Sequence, residues 1–147
     1  MNKGYEDVLS SISSSNPTPG GGSVSALILS HAHSLATMVA RLTSGRDKWS
    51  DGQGIAEEII SKSEESIETS LRLAKEDALA FDSVMNSYRL PKDTDELKET
   101  RKEAIFDSTI NAASVPLEIM HEASNFLNDI INLAKFGNLN ALTDLLG

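Results

Sequence analysis

From Ser23 to Leu42 nearly every position is apolar or small, and this run limits what the chain can become. Val24, Leu27, Ile28, Leu35, Met38, Val39 and Leu42 recur at helical spacing, with Ala26, Ser30, Ala32, Ser34, Ala36, Thr37 and Ala40 between them. A helix with no wide polar face has to be buried on most sides, in the centre of a bundle or in a subunit interface. Other apolar repeats extend the pattern. Tyr5, Val8, Leu9 and Ile12 predict a short first helix. Ile55, Ile59, Ser63, Ile67, Leu71, Ala74, Ala78, Phe81, Met85 and Tyr88 predict a third, over about 55–90, roughly 54 Å long if unbroken. Asp93 with Glu96 reads as an N-cap and its capping-box partner, opening a fourth helix to about Ala113. Val115-Pro116 then kinks or interrupts the chain. A fifth segment follows, with Leu117, Met120, Ala123, Leu127, Ile130, Ile131 and Ala134 facing inward and Gly137 as its C-cap. Aromatic residues make up only 5% and no alternating β-branched run occurs. The predicted fold class is all-α: a long-helix up-and-down bundle of about five helices, with a Pro-kinked fourth/fifth helix, in a single domain over 1–147.

The stretch Asn16-Pro17-Thr18-Pro19-Gly20-Gly21-Gly22-Ser23 is the one segment that a helical scaffold does not explain. Two prolines stiffen the approach, and three glycines offer bare backbone able to take positive φ. The first-turn N–H groups of the helix that follows would point into this loop and suit an anionic or carbonyl oxygen. The alternative is a packing turn, in which the glycines let the loop lie against a neighbouring helix. Neither a Gly-Lys-Ser/Thr phosphate loop nor a strand with spaced glycines is present, so the usual nucleotide fingerprints are excluded.

Arg41, Arg46 and Lys48 form the densest cationic group in a chain of net charge -9, with Trp49 beside them. They either complement the C-terminal end of the second helix or meet an anion. The acidic balance argues against a nucleic-acid partner, which needs a basic face. There is no cysteine, so disulfides and thiolate chemistry are excluded; a cytoplasmic setting is compatible. No apolar signal core opens the chain, and His31, His33, Ser34 and Arg41 interrupt its most apolar segment, so no membrane partner is expected. No metal site is expected either. His31 and His33 are two residues apart, and His121 has Asn125 four positions on. Asp77 and Asp82 stand out among Ala78, Leu79, Ala80, Phe81 and Val84, where an unpaired buried carboxylate is costly.

Pro17 to Leu27, as Pro-Thr-Pro-Gly-Gly-Gly-Ser-Val-Ser-Ala-Leu, resembles the opening signature of the cyclodeaminase/cyclohydrolase family, which includes the C-terminal domain of formiminotransferase-cyclodeaminase and methenyltetrahydrofolate cyclohydrolases. Three further stretches fall in the family's order: Met38 to Thr43 with Gly45 and Lys48, Asp77 to Lys92 ending Arg-Leu-Pro-Lys, and Val115 to Ile119 followed by Gly137-Asn138-Leu139-Asn140. The resemblance implies folate one-carbon chemistry, either methenyltetrahydrofolate cyclohydrolase or formiminotetrahydrofolate cyclodeaminase activity, on a tetrahydrofolate derivative as substrate with no separate cofactor. It puts Pro19, Gly20, Gly21, Gly22 and Ser23 against folate atoms and Arg41, Arg46 and Lys48 on the anionic tail. It offers Asp82 or Asp144 as the carboxylate that orients water or accepts a proton. In the family the Gly-Asn-x-Asn stretch leads to Ser-Asp-x-Gly and another helix. Here Thr143-Asp144 match the Ser-Asp, Leu139 replaces a proline, Leu146 falls where glycine is expected, and the sequence stops at Gly147. The expectation is a C-terminally shortened member, homodimeric because its second helix needs cover; the alternative is a non-catalytic relative acting as a folate-binding or dimeric interaction protein.

Overall fold

The computed structural model describes residues 3–146. Four α-helices, α1 (Lys3–Ile12), α2 (Gly21–Thr43), α3 (Gln53–Tyr88) and α4 (Asp95–Phe136), are joined by short connections, with 3-10 turns at Asp47–Gly52 and Leu139–Leu145. Among the described residues there is no strand. By its internal contacts the chain divides into two compact units. The first comprises Met1–Ala26 and Arg72–Ile119, the second Leu27–Leu71 and Met120–Gly147.

The expected fourth and fifth helices are one. Pro116 sits inside a continuous helix of 42 residues. Proline removes a single backbone donor and costs about 3 kcal/mol in a helix interior, and burial of Val115 and Ile119 on either side of it opposes that cost. The start of α4 also differs from expectation. Thr94 Oγ1 accepts the Leu97 N–H at 3.2 Å, so Thr94 is the cap in place of Asp93, and Glu96 falls one position short of the capping-box site.

Burial corrects the expected packing phase. The side chains that α2 buries are Ser23, Ala26, Leu29, Ser30, His33, Ala36, Thr37, Val39, Ala40 and Thr43. Its larger side chains Ile28, Leu35, Met38 and Leu42 stay exposed. In α3 the inward seam runs Ala56, Ile59, Ser63, Ser66, Ser70, Leu73, Asp77, Ala80, Val84 and Ser87, alternating steps of three and four, while Leu71, Phe81, Met85 and Tyr88 are exposed. On α4 the buried positions are Ser108, Val115, Ile119, Phe126 and Leu133; Leu117, Met120, Leu127 and Ile131, expected inside, are exposed. Small side chains let helix backbones approach closely, so the seams select alanine and serine and leave bulky residues outside. Each buried serine or threonine hydroxyl needs a partner, and Ser30, Thr37, Thr43 and Ser70 donate to carbonyls three or four residues back on their own helices. Among the described residues no buried side-chain polar atom lacks a partner. The polar interruptions in α2 do not disqualify it by length and composition from crossing a membrane, contrary to expectation, although a core helix of a soluble protein passes the same test.

In the second unit His33 is a buried core histidine. Its ring lies 3.9 Å from that of Phe126, and burial pushes its pKa below the ordinary imidazole value, against a smaller upward pull from Asp129. The ends of α2 and α4 are tied together there. Thr43 Oγ1 donates to Val39 O and accepts from Asn138 N at 3.0 Å, and Asn138 Nδ2 donates to Leu42 O at 3.2 Å. The Gly137-Asn138-Leu139-Asn140 stretch is thus a docking element, with Asn138 Oδ1 also capping the last turn through Asn140 N.

Candidate functional site

In the first unit, α1 gives way to a chain of serine turns. Ser13 Oγ and Ser14 Oγ donate to Ser10 O and Ser11 O, and Asn16 N donates to Ser14 Oγ. The Thr18–Pro19 peptide is cis. Gly20 accepts the Val24 N–H at 3.0 Å and so occupies the N-cap of α2 without a side chain to cap it. The cap comes from α3 instead. Asp77 Oδ2 accepts both the backbone N–H of Ser23 at 2.7 Å and its hydroxyl at 2.9 Å. Charge-assisted bonds of this length at a helix N-terminus are among the stronger polar contacts in a protein.

This explains one glycine of the three. A Cβ on Gly22 would overlap Asp77 Oδ1 and fall 2.6 Å from its carboxyl carbon, whereas one on Gly21 would meet nothing within 4 Å. The expectation of positive φ is not realised here: Gly45 is the one described glycine with positive φ, at 68°. The loop therefore uses glycine for close approach, as both readings of the motif required, and the neighbour it approaches is a carboxylate. Pro19, Gly20 and Gly22 are half-buried, Gly21 is exposed and Ser23 is buried.

Asp82 lies five residues beyond Asp77 on α3, exposed in a shallow cleft of about 500 Å³ with Leu79, Ser83, Asn86, Ser87 and Leu90. Among the described residues it makes no hydrogen bond to the glycine loop. Sequence reasoning marked Asp77 as unusual yet did not assign it to the site. Its position in a buried seam of otherwise uncharged residues was the available signal, and the phase error in α3 concealed it.

The remaining predicted residues belong to the second unit. Arg41 lines a cleft of about 560 Å³ between α2 and α3 with Ser34, Thr37, Ser63, Glu64, Ile67 and Glu68. Arg46 and Lys48 are exposed on the connection to α3, and Lys48 Nζ lies 4.7 Å above the Trp49 ring. Gln53, not noticed in the sequence, organises that connection. Its Oε1 accepts from Gly45 N at 2.8 Å, and its Nε2 donates to Thr43 O, Arg46 O and Trp49 O at 3.0, 3.3 and 3.1 Å. Asp144 is exposed in the last 3-10 turn. Among the described residues no three His, Asp or Glu side chains converge as a metal site.

Comparison with protein families matches residues 4–146 to formiminotransferase-cyclodeaminase. The chain belongs to this family. It is 34% identical over 143 residues to a methenyltetrahydrofolate cyclohydrolase of Methylorubrum extorquens, covering 97% of this chain and 69% of that protein. It is 32% identical over 127 residues to the formimidoyltransferase-cyclodeaminase of Rattus norvegicus, covering 86% of this chain and 24% of the rat protein. A formiminotetrahydrofolate cyclodeaminase from Thermotoga maritima has the same fold, with a TM-score of 0.83 and 29% identity over 96% of this chain and 66% of that one. Membership accounts for the resemblance of the glycine loop, the Asp77 to Lys92 stretch and the Gly137 to Asn140 element to one family's motifs. The geometry adds that the first two meet at the Asp77 carboxylate.

Proposed function

We propose that the chain is an enzyme of folate one-carbon chemistry, hydrolysing methenyltetrahydrofolate as a cyclohydrolase or closing formiminotetrahydrofolate with loss of ammonia as a cyclodeaminase. The observation that carries this reading is the 34% identity to a methenyltetrahydrofolate cyclohydrolase along 97% of the chain. Both reactions need an oriented nucleophile, a proton acceptor or donor and tolerance of a cationic one-carbon group, all of which carboxylates and bare backbone supply. In this reading the single domain works in the cytoplasm on a tetrahydrofolate derivative without a further cofactor. Pro19, Gly20, Gly21, Gly22 and Ser23 contact the folate. Arg41, Arg46 and Lys48 attract its anionic tail, and a carboxylate handles the proton: Asp82 or Asp144 by motif, Asp77 by position at the loop.

The test is turnover of methenyltetrahydrofolate and of formiminotetrahydrofolate by the purified chain, followed spectrophotometrically, beside the Arg46→Gln/Lys48→Gln variant. Turnover of one substrate is expected. The double variant is expected to raise KM at 0.1 M salt and to match wild type near 1 M, because the Debye length falls from about 10 Å to about 3 Å, while kcat stays unchanged. Absence of turnover with both substrates overturns the proposal; an unchanged KM at low salt removes both cations from the site.

A homodimer belongs to the same reading. In the second unit Ile28, at 63% exposure, lies seven and fourteen residues before Leu35 and Leu42, which with Met38 form one apolar stripe on α2. Met120, Leu127 and Ile131 on α4 are also exposed in that unit. Soluble monomers seldom leave such faces uncovered. Light scattering at micromolar concentration is expected to give twice the chain mass of 15.8 kDa, and a stable monomer would refute it.

A further inference from the structure

The connection from α2 to α3 has an irregular backbone. Gly45 takes φ 68°, Arg46 is extended at φ -110° and ψ 113°, and Trp49 leaves helical geometry at φ -118° and ψ 38°. Fixing such a segment costs conformational entropy, which the half-buried Gln53 side chain offsets. Its Oε1 accepts from Gly45 N, and its Nε2 donates to Thr43 O, Arg46 O and Trp49 O. Nε2 carries two N–H groups for three carbonyls, so one N–H is shared. These bonds bracket two cations. Arg46 is held at its own carbonyl and at the residue before it. Lys48 lies between the held Arg46 and Trp49, and its Nζ rests 4.7 Å above the Trp49 ring. Lys62, Arg72, Lys98 and Lys102 each pair with a carboxylate. Among the described residues Arg46 and Lys48 have no such pair, although Asp47 and Asp51 share their stretch of chain. Turning the chain from one helix to the next does not require ordered, unpaired cations. Two like charges held two residues apart repel, and a carboxylate brought to them reverses that.

We propose that Gln53 is the positioning residue of a carboxylate-binding connection, its side-chain amide fixing the backbone from Thr43 to Trp49 so that Arg46 and Lys48 are ordered before the anionic tail of the substrate arrives. This deepens the proposed function and rests on its assignment of those two cations. Gln53 touches no substrate in this role. It acts through the backbone, by removing from the binding step the entropy that a loose connection would lose when its cations engage a ligand. The tail is remote from the one-carbon group, so the effect falls on binding shared by ground and transition states and leaves the chemical step alone.

The experiment is a cycle of wild type, Gln53→Met, Arg46→Gln/Lys48→Gln and the triple variant, assayed on whichever folate wild type turns over, below the melting transition of each. Methionine keeps the length of glutamine and deletes its hydrogen bonds. Gln53→Met is expected to raise KM about three- to tenfold at 0.1 M salt, to match wild type near 1 M, and to leave kcat within about twofold. Without the cations, Gln53→Met is expected to add nothing further to KM. A Gln53 that only holds the fold would instead raise KM equally in both backgrounds, and that result overturns the proposal. So does an unchanged KM at 0.1 M, or a fall in kcat alone. Should Gln53→Met not fold, Gly45→Ala takes its place in the cycle with the same expectations and the same overturning results: a Cβ there meets nothing within 4 Å, so it acts only by straining the φ of 68°. Failure of the proposed function is read separately. No turnover by wild type overturns it before any substitution, and an unchanged KM in Arg46→Gln/Lys48→Gln withdraws the cations and Gln53 together.

Discussion

Gly22→Ala is expected to destabilise the chain by about 2–4 kcal/mol and to abolish turnover, while Gly21→Ala one position earlier stays within about 0.5 kcal/mol of wild type. The added methyl at Gly22 would overlap Asp77 Oδ1 and lie 2.6 Å from its carboxyl carbon, whereas at Gly21 it meets nothing within 4 Å. The aspartate can rotate away, but only by releasing Ser23 N–H and Oγ, and Ser23 is 1% exposed. Stranding buried donors costs about 1–3 kcal/mol each, which sets the range. At this chain length the melting temperature should fall by roughly 5–15 °C. Adding Asp77→Ala to Gly22→Ala removes the collision, so the double variant should be markedly less destabilised than the sum of the singles, a coupling expected only for groups in contact. Equal stability of the two alanine variants would show that Gly22 and Asp77 are not in contact.

Much of this site was legible, and its boundary is instructive. The glycine loop announced itself by composition, and the helix behind it by an apolar run, because both are local signals. The Asp77 contact was not readable, since nothing local says which residue 54 positions on will face Ser23. The seam that carries Asp77 was misphased for a related reason: Leu71, Phe81, Met85 and Tyr88 dominated the apolar pattern, yet the chain's own interior takes the smaller Ser70, Ala80 and Ser87. Sequence periodicity detects hydrophobic faces without saying whether each one meets its own chain or another surface. Pro116 marked a kink or an interruption, and the helix runs through it without interruption, with Val115 and Ile119 buried on either side.

The second unit carries the other large effect. Gly52→Ala is expected to cost about 2–4 kcal/mol, with Gly54→Ala, two residues on, neutral or stabilising by up to about 1 kcal/mol because alanine is the better helix former. At Gly52 a Cβ would overlap Phe136 O and stand 2.8 Å from its carbonyl carbon and 3.1 Å from Gly137 Cα, while at Gly54 it meets open space. The obstruction is backbone, so no side chain can rotate aside. Relief requires moving either the 3-10 turn or the end of α4. Shifting α4 pulls Asn138 N from Thr43 Oγ1, a bond at 3.0 Å to a residue with 0% exposure. Shifting the turn strains the four hydrogen bonds through which Gln53 holds residues 43–49. Overpacking of about 1–3 kcal/mol thus combines with loss of at least one buried hydrogen bond of about 1 kcal/mol. Thr43→Val, which preserves volume and deletes the hydroxyl, should reproduce that hydrogen-bond part alone and leave the overpacking part out. Thermal melts of the three variants should therefore rank Gly54→Ala above Thr43→Val above Gly52→Ala, and a Gly52→Ala chain as stable as Thr43→Val would mean that the turn yields without breaking either set of bonds.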